Sequence, residues 1–168
     1  MAKPQVLILM GSDSDYPVVA SASEFLDKMG VAHEIKVSSA HRSPDRTEAL
    51  VAGAEADGVK VFICAAGMAA HLAGVVASRT TRPVIGIPID ASPLGGMDSL
   101  LSTVQMPPGI PVATVAVGKA GAVNAAVLAC QIIALGDKKL AAKLSENKKQ
   151  MAEAVVERDR KLAESRKS

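Results

Sequence analysis

Apolar residues along this chain fall into two alternating rhythms. Short, nearly continuous runs recur at Val6-Leu7-Ile8-Leu9-Met10, His33 to Val37, Val59 to Cys64, Pro83 to Pro88 and Val112 to Val117. Such runs predict strands covered on both faces. Between them the apolar positions switch to helical spacing. Val18, Val19, Ala22, Phe25, Leu26 and Met29 follow Pro17, which suits a first helical turn, and Gly30 stops the pattern. A second helix is expected from Pro44 to Asp57, with Leu50, Val51 and Ala54 inward. A helix of small residues ends near Ser78, a short one spans Ser99 to Gln105, and a nearly all-apolar one spans Gly121 to Leu135.

Strict alternation of strand and helix predicts βαβ units, a parallel sheet and right-handed crossovers. We expect one α/β domain over residues 1–136. A charged helix over 137–168 follows, with a thin apolar stripe of Leu140, Leu144, Met151, Val155 and Leu162. That stripe is too narrow to build a core, so it is expected to pack along the domain or on a neighbouring subunit, the alternative being a solvated, partly frayed tail. The helix Gly121–Leu135, apolar almost all round, needs cover on every side. Both features predict a homo-oligomer.

The composition narrows the class. Hydrophobic residues are 49% of 168 but aromatics only 2%, so Ala, Val, Leu, Ile and Met must build the core. A formal net charge of +2 gives no electrostatic footprint for nucleic acid or an anionic membrane. The uncharged run Val61–Ser78 is interrupted by Gly67, His71 and Gly74 and begins as a strand, which excludes a membrane span. Met1-Ala2-Lys3-Pro4 leads directly into the first strand without a targeting segment. Cys64 and Cys130 lie in apolar surroundings and read as reduced core residues. A cytoplasmic protein is expected.

Polar motifs gather where strands end. In open parallel sheets, ligands bind beyond the carboxyl ends of the strands. After the first strand comes Gly11-Ser12-Asp13-Ser14-Asp15, where free amides at a helix start favour an anion. It matches neither GxxxxGK[ST] nor GxGxxG. Ser12 and Ser14 can donate to a phosphate and Asp15 can accept from ribose hydroxyls; equally, Ser14 or Asp15 can simply cap the helix. After the second strand comes Ser38-Ser39-Ala40-His41-Arg42-Ser43-Pro44. His41 there is a candidate general acid or base, and Arg42 offers a planar fork for phosphate. After the third comes Ala65-Ala66-Gly67-Met68-Ala69-Ala70-His71, whose His71 either faces the same cleft or is a satisfied core histidine. Metal binding is not expected, because the histidines are scattered and no HxxxH or CxxC spacing occurs.

With these residues placed, the sequence resembles the bacterial-type 5-(carboxyamino)imidazole ribonucleotide mutases of purine biosynthesis, the PurE family. The resemblance runs from Val6 to Leu135. It rests on GSDSD (Gly11–Asp15), SAHRSP (Ser39–Pro44), AAGMAAHLAG (Ala65–Gly74), LGGMDSLLSTVQMPPGIPVATVAVG (Leu94–Gly118) and NAAVLACQI (Asn124–Ile132).

The resemblance implies a three-layer, flavodoxin-like sandwich with a five-stranded parallel sheet, assembled as a homo-octamer, with no metal or organic cofactor. It implies that a carboxylate moves from the exocyclic amine of a ribonucleotide to a ring carbon, through CO2 that stays trapped. Residue by residue, His41 becomes the proton shuttle and Asp15 the ribose partner. Ser12 and Arg42 hold phosphate and substrate, with Gly11, Ser14, Ser39 and Ala40 beside them. The segment Ala66 to Leu72, including Gly67, Ala70, His71 and Leu72, closes over the CO2-bearing end. Gln105, Met106 and Pro107 form the opposite wall, from the same subunit or the adjacent one. The chain departs from the family at Ser43 (commonly Thr), around Ala66-Gly67-Met68 (commonly Gly-Gly) and at Ala73 (commonly Pro). The alternative is the branch that carboxylates aminoimidazole ribonucleotide directly. That branch has Lys after the turn histidine and lacks the AHL loop, so Arg42 and His71 favour the mutase. A flavodoxin-like nucleotide or flavin binder is a further alternative, disfavoured for flavin by the absence of Trp and the single Tyr.

Overall fold

Strands that are apolar on both faces must be covered twice, and this dictates the layering. In a computed structural model that describes residues 3–166, the strands are β1 (Val6–Met10), β2 (His33–Val37), β3 (Val61–Gly67), β4 (Val84–Ile89) and β5 (Ala113–Thr114). The helices are α1 (Tyr16–Met29), α2 (Pro44–Asp57), α3 (Leu72–Ala77), α4 (Met97–Val104), α5 (Gly118–Ala134) and α6 (Lys138–Ser165). Met1 and Ala2, where the start without a targeting segment was read, and the last two residues of the tail lie outside the described residues.

The strands form one parallel sheet of order β2-β1-β3-β4-β5. This is the flavodoxin-like order, with its switch point between β1 and β3. Alternate side chains leave a strand on opposite faces, and the core divides accordingly. Val6, Ile8, Ile63 and Ile87 meet α1 and α5 on one face, through Val19, Ala22, Leu26, Ala125 and Ala129. Leu7, Leu9, Phe62 and Cys64 meet α2 and α3 on the other, through Val51, Leu72 and Val76. Small side chains bring the layers close. At Gly86 a Cβ would stand 2.4 Å from Thr103 Cγ2 of α4, so only glycine lets α4 seat there.

Two elements differ from the sequence expectation. β5 pairs with β4 only at Ala113 and Thr114, shorter than Val112–Val117. One further bond, Val115 N–H to the Gly86 carbonyl at 3.1 Å, ends the ladder. Beyond it the backbone folds back, with the Ala116 carbonyl against Gly121. α5 is covered only on the face of Ala122, Ala125, Ala126, Ala129, Cys130 and Ile133; Val123 and Leu135 are exposed.

α6 opens with Asp137 accepting from the Lys139 and Leu140 amides at 3.0 and 3.1 Å. Its first turns pack on the domain: Leu140 is buried, and Lys143 Nζ donates to the Met29 carbonyl at 2.8 Å, at the end of α1 where a cation suits the helix dipole. From Met151 onward its apolar residues are exposed. No helix among the described residues is long and apolar enough to cross a membrane.

Candidate active site

The parallel order brings the polar loops after β1, β2 and β3 to one edge, where they enclose a cleft of about 550 Å³. Gly11, Ser12, Ser14, Asp15, Ser39, Ala40, His41, Arg42, Gly67, His71 and Leu72 of the sequence-predicted set all line it. Ala70 does not; it is buried beneath the loop, and its N–H donates to the Ser102 hydroxyl at 3.0 Å. Ala66, Met68 and Ala69 join the lining from the same loop, together with Ala91. Ala91 lies beyond β4 and carried no chemical signal in the sequence. Met106 packs its sulfur over Gly74 of α3, outside this cleft, and neither Gln105 nor Pro107 lines it.

The turn that carries His41 is stapled by its own serines. Ser39 N–H donates to Ser43 Oγ at 3.1 Å, Ser43 Oγ donates to the Ser39 carbonyl at 3.1 Å, and Arg42 N–H donates to Ser39 Oγ at 3.2 Å. Below it, Ser38 and Thr47 share a buried hydroxyl contact of 2.8 Å. Thr47 Oγ1 donates to the Ser43 carbonyl, so the Ser38 hydroxyl is the donor in that pair. Polar side chains that could solvate the loop are thus spent on fixing it. His41 and Arg42 point outward from this rigid turn, both exposed. Among the described residues no hydrogen bond or ion pair engages the Arg42 guanidinium, which leaves its fork available to an anion.

His41 Nε2 lies 2.8 Å from His71 Nδ1, with the rings edge to face at 77°. One nitrogen must donate and the other accept, so the two rings share a proton site. His71 is exposed and belongs to the cleft rather than the core. His33, by contrast, is satisfied within the fold: Nδ1 donates to the Val31 carbonyl at 3.1 Å and Nε2 accepts from Ser23 Oγ at 2.6 Å.

The loop after β1 is a tight helical turn over Asp13–Asp15 with a reciprocal cap. Ser12 Oγ accepts from the Ser14 amide at 3.3 Å, and Asp15 Oδ2 accepts from the Ser12 amide at 3.1 Å. Asp15 is therefore a cap as well as a lining residue. It is 5% exposed, and burial raises its pKa above the usual carboxylate value, against the opposing Ser12 amide bond and with a smaller push from Asp13.

The loop after β3 bends sharply. β3 runs on to Gly67, where a Cβ would stand 2.8 Å from Ala91 Cβ, so the strand end requires glycine. Met68 follows at φ 56°, a left-handed conformation that costs an L residue about 1 kcal/mol. Strain of this kind at a cleft is a mark of function. Cys64 lies beneath, fully buried, its thiol pKa raised by desolvation; burial also pushes the Cys130 thiol up to about 11, so neither is a nucleophile. Among the described residues no group of three or more His, Cys, Asp or Glu side chains could hold a metal.

A larger hollow of about 820 Å³ opens at the amino ends of β4 and β5, near Arg79, Thr80 and Arg82. Two of its side chains are engaged: Arg79 pairs with Glu48, outside the hollow, at 3.3 Å, and Thr80 Oγ1 donates to Glu55 at 2.5 Å. No histidine lines it, whereas His41 and His71 both line the smaller cleft.

A flavodoxin-like sheet whose switch point holds a histidine pair, a free guanidinium and serine hydroxyls defines an α/β enzyme that moves protons on an anionic small molecule. The comparisons with known proteins narrow this class. A family model described as AIR carboxylase matches residues 5–154, and the chain belongs to that family. A Brucella melitensis protein named N5-carboxyaminoimidazole ribonucleotide mutase is 51% identical over 153 residues, covering 91% of this chain and 94% of that one. A Bacillus subtilis protein of the same name is 50% identical over 155 residues, covering 92% and 96%. Among solved structures, Treponema denticola PurE superposes with a TM-score of 0.86 at 32% identity, over 95% of this chain and 98% of that one.

Proposed function

We propose that the protein is an isomerase of purine biosynthesis that converts 5-(carboxyamino)imidazole ribonucleotide into 4-carboxy-5-aminoimidazole ribonucleotide. The observation that carries the reading is the His41–His71 contact of 2.8 Å in the lining of a cleft that also holds Arg42 and Ser12. In this reading the carbamate C–N bond breaks, CO2 departs with no electrons lost to the protein, and the exocyclic nitrogen takes a proton from His41. The ring carbon then attacks the trapped CO2, and the proton displaced from that carbon returns to His41. One proton given and one recovered leaves the enzyme unchanged, as an isomerisation requires. Ser12, Ser14 and Arg42 bind the phosphate end, and Asp15 accepts from the ribose. Gly11, Ser39 and Ala40 shape the near wall, and the segment Ala66–Leu72 excludes water so that CO2 does not escape. The chemistry is carried by the histidines, with no metal or organic cofactor.

The protein acts as a homo-oligomer, for which the octamer of the family is the expected form. Support comes from Leu94 before α4 and Met97, Leu101 and Val104 along it, all exposed, and from Met151, Val155 and Leu162, exposed along α6. A second copy also supplies the wall expected from Gln105, Met106 and Pro107. Residues 1–136 form the catalytic unit and 137–168 a helix serving assembly. A cytoplasmic setting, without nucleic-acid or membrane partners, suits two unpaired buried cysteines and a near-neutral charge.

A paired assay tests the activity. One arm supplies the carboxyamino substrate; the other supplies aminoimidazole ribonucleotide with bicarbonate and CO2, each followed by absorbance of the carbon-carboxylated product. Rapid conversion in the first arm alone is expected. Efficient use of CO2 in the second would assign the direct carboxylase instead.

A further inference from the structure

Ser102 lies on α4, outside the cleft lining, yet its hydroxyl reaches the loop that carries His71. Ala70 N–H donates to Ser102 Oγ at 3.0 Å, and Ser102 Oγ in turn stands 3.3 Å from the Met68 carbonyl and 2.6 Å from the Asp98 carbonyl. We propose that Ser102 is a positioning residue for the histidine pair: its hydroxyl holds the strained 68–70 segment in the conformation that sets His71 Nδ1 against His41 Nε2.

Three observations carry this. First, Ala70 is buried, so its amide needs an acceptor, and Ser102 Oγ supplies it. A helical serine bonded only to its own i−4 carbonyl, here Asp98, would leave that amide unsatisfied. Second, Met68 sits at φ 56°, so the segment has a built-in tendency to relax toward negative φ, which would rotate the following peptide. The Ser102 tie acts two residues on, where its oxygen accepts from the Ala70 amide; its single hydrogen goes to the Asp98 carbonyl at 2.6 Å, and the Met68 carbonyl at 3.3 Å lies alongside. Third, the His71 ring has His41 as its polar contact, so its place is set by its backbone. That backbone is fixed on one side by buried Leu72 and on the other by the tied segment, through the His71 N–H to the Ala69 carbonyl at 2.8 Å. Without the hydroxyl, the buried Ala70 amide must find water, and the segment shifts to let it.

The kinetic part of this inference rests on the mutase reading; the structural part does not. Crystal structures of the full-length protein and of Ser102→Ala test the latter directly. The His41–His71 contact is expected to open beyond hydrogen-bonding distance in Ser102→Ala and to persist in Ser102→Thr, which keeps the hydroxyl. An unchanged contact in Ser102→Ala overturns the proposal. In the paired assay, Ser102→Ala is expected to lower kcat about tenfold or more, since small misplacements of reacting groups are costly. KM is expected to change less than kcat, because Ser102 itself lies outside the cleft lining. Thermal unfolding should shift by only about 3 °C. Introduced into His71→Ala, the same change should have no further effect on kcat; an undiminished effect there overturns the action through His71. If Ser102→Ala fails to fold, the isosteric pair Ser102→Thr and Ser102→Val isolates the hydroxyl, and equal kcat in that pair overturns the proposal. An inactive wild-type protein would remove the mutase reading while the two crystal structures still decide the positioning role.

Discussion

His41 Nε2 and His71 Nδ1 meet at 2.8 Å although a helix and a strand, 30 residues of chain, separate them. Each ring leaves a different strand end; because β2 and β3 run parallel with only β1 between them, both loops emerge at the same edge of the sheet. The pair shares one proton site, so removing either ring changes what the other can do. His41→Asn is expected to fold normally, since the residue is exposed, and to lose roughly a thousandfold in kcat, the scale of general acid–base catalysis. His71→Asn, whose amide can still meet His41, should lose less. Steady-state kinetics beside circular dichroism decide it: most activity retained in His41→Asn would remove that residue from the mechanism.

Asp15 is a carboxylate kept in a cleft at a cost to stability. Its folded pKa is raised, so the native state holds its proton more tightly than the unfolded chain does. Stability from this group is therefore present below its ordinary unfolded value and is lost as pH rises through the raised folded value. At neutral pH the charged form is the penalised one. Asp15→Asn, which can still accept from the Ser12 amide, should melt at or above the wild-type temperature at pH 7, while binding substrate less well. The stability difference should narrow toward pH 4. A lower melting temperature at pH 7 would mean that the anionic cap outweighs burial.

Among the glycines, Gly121 leaves the least room for a side chain. A Cβ there would fall 1.6 Å from the Ala116 carbonyl oxygen, and that carbonyl belongs to the segment joining β5 to α5. No side-chain rotamer can relieve a clash with backbone. Gly121→Ala should cost roughly 3 kcal/mol or more, at the upper end for overpacking. Gly53→Ala, on the exposed side of α2 with open space around it, should be neutral or stabilising. Urea denaturation of the two variants checks the contrast.

The two halves of α6 should answer to different experiments. Leu140 and Lys143 tie its start to α5 and α1, whereas Met151, Val155 and Leu162 face outward. Deleting residues 150–168 should leave the monomer fold and its far-ultraviolet spectrum intact and reduce the mass measured by light scattering. Unchanged oligomer size would dismiss the outer half as an assembly element.

Much of this protein is decided by its sequence, because alternation of buried strands with amphipathic helices admits few topologies. β1, β2 and the helices after them fall where the apolar rhythm puts them, and motif order along the chain sufficed to pick out the cleft lining from Gly11 to Arg42. The tertiary structure decided what depends on contacts between distant segments. β5 shrank to Ala113–Thr114 because an edge strand is held from one side only and the chain must fold back to place Gly121. Whether His71 faced the cleft or the core was open in the sequence, since a lone histidine has no periodicity; its approach to His41 settled the matter. Ser102 was invisible for the same reason. Its spacing is that of any helical serine, and its partners at Met68 and Ala70 become neighbours only when α4 packs beside the end of β3. Local rhythm encodes elements, while a hydrogen bond between elements exists only once the whole sheet has placed them.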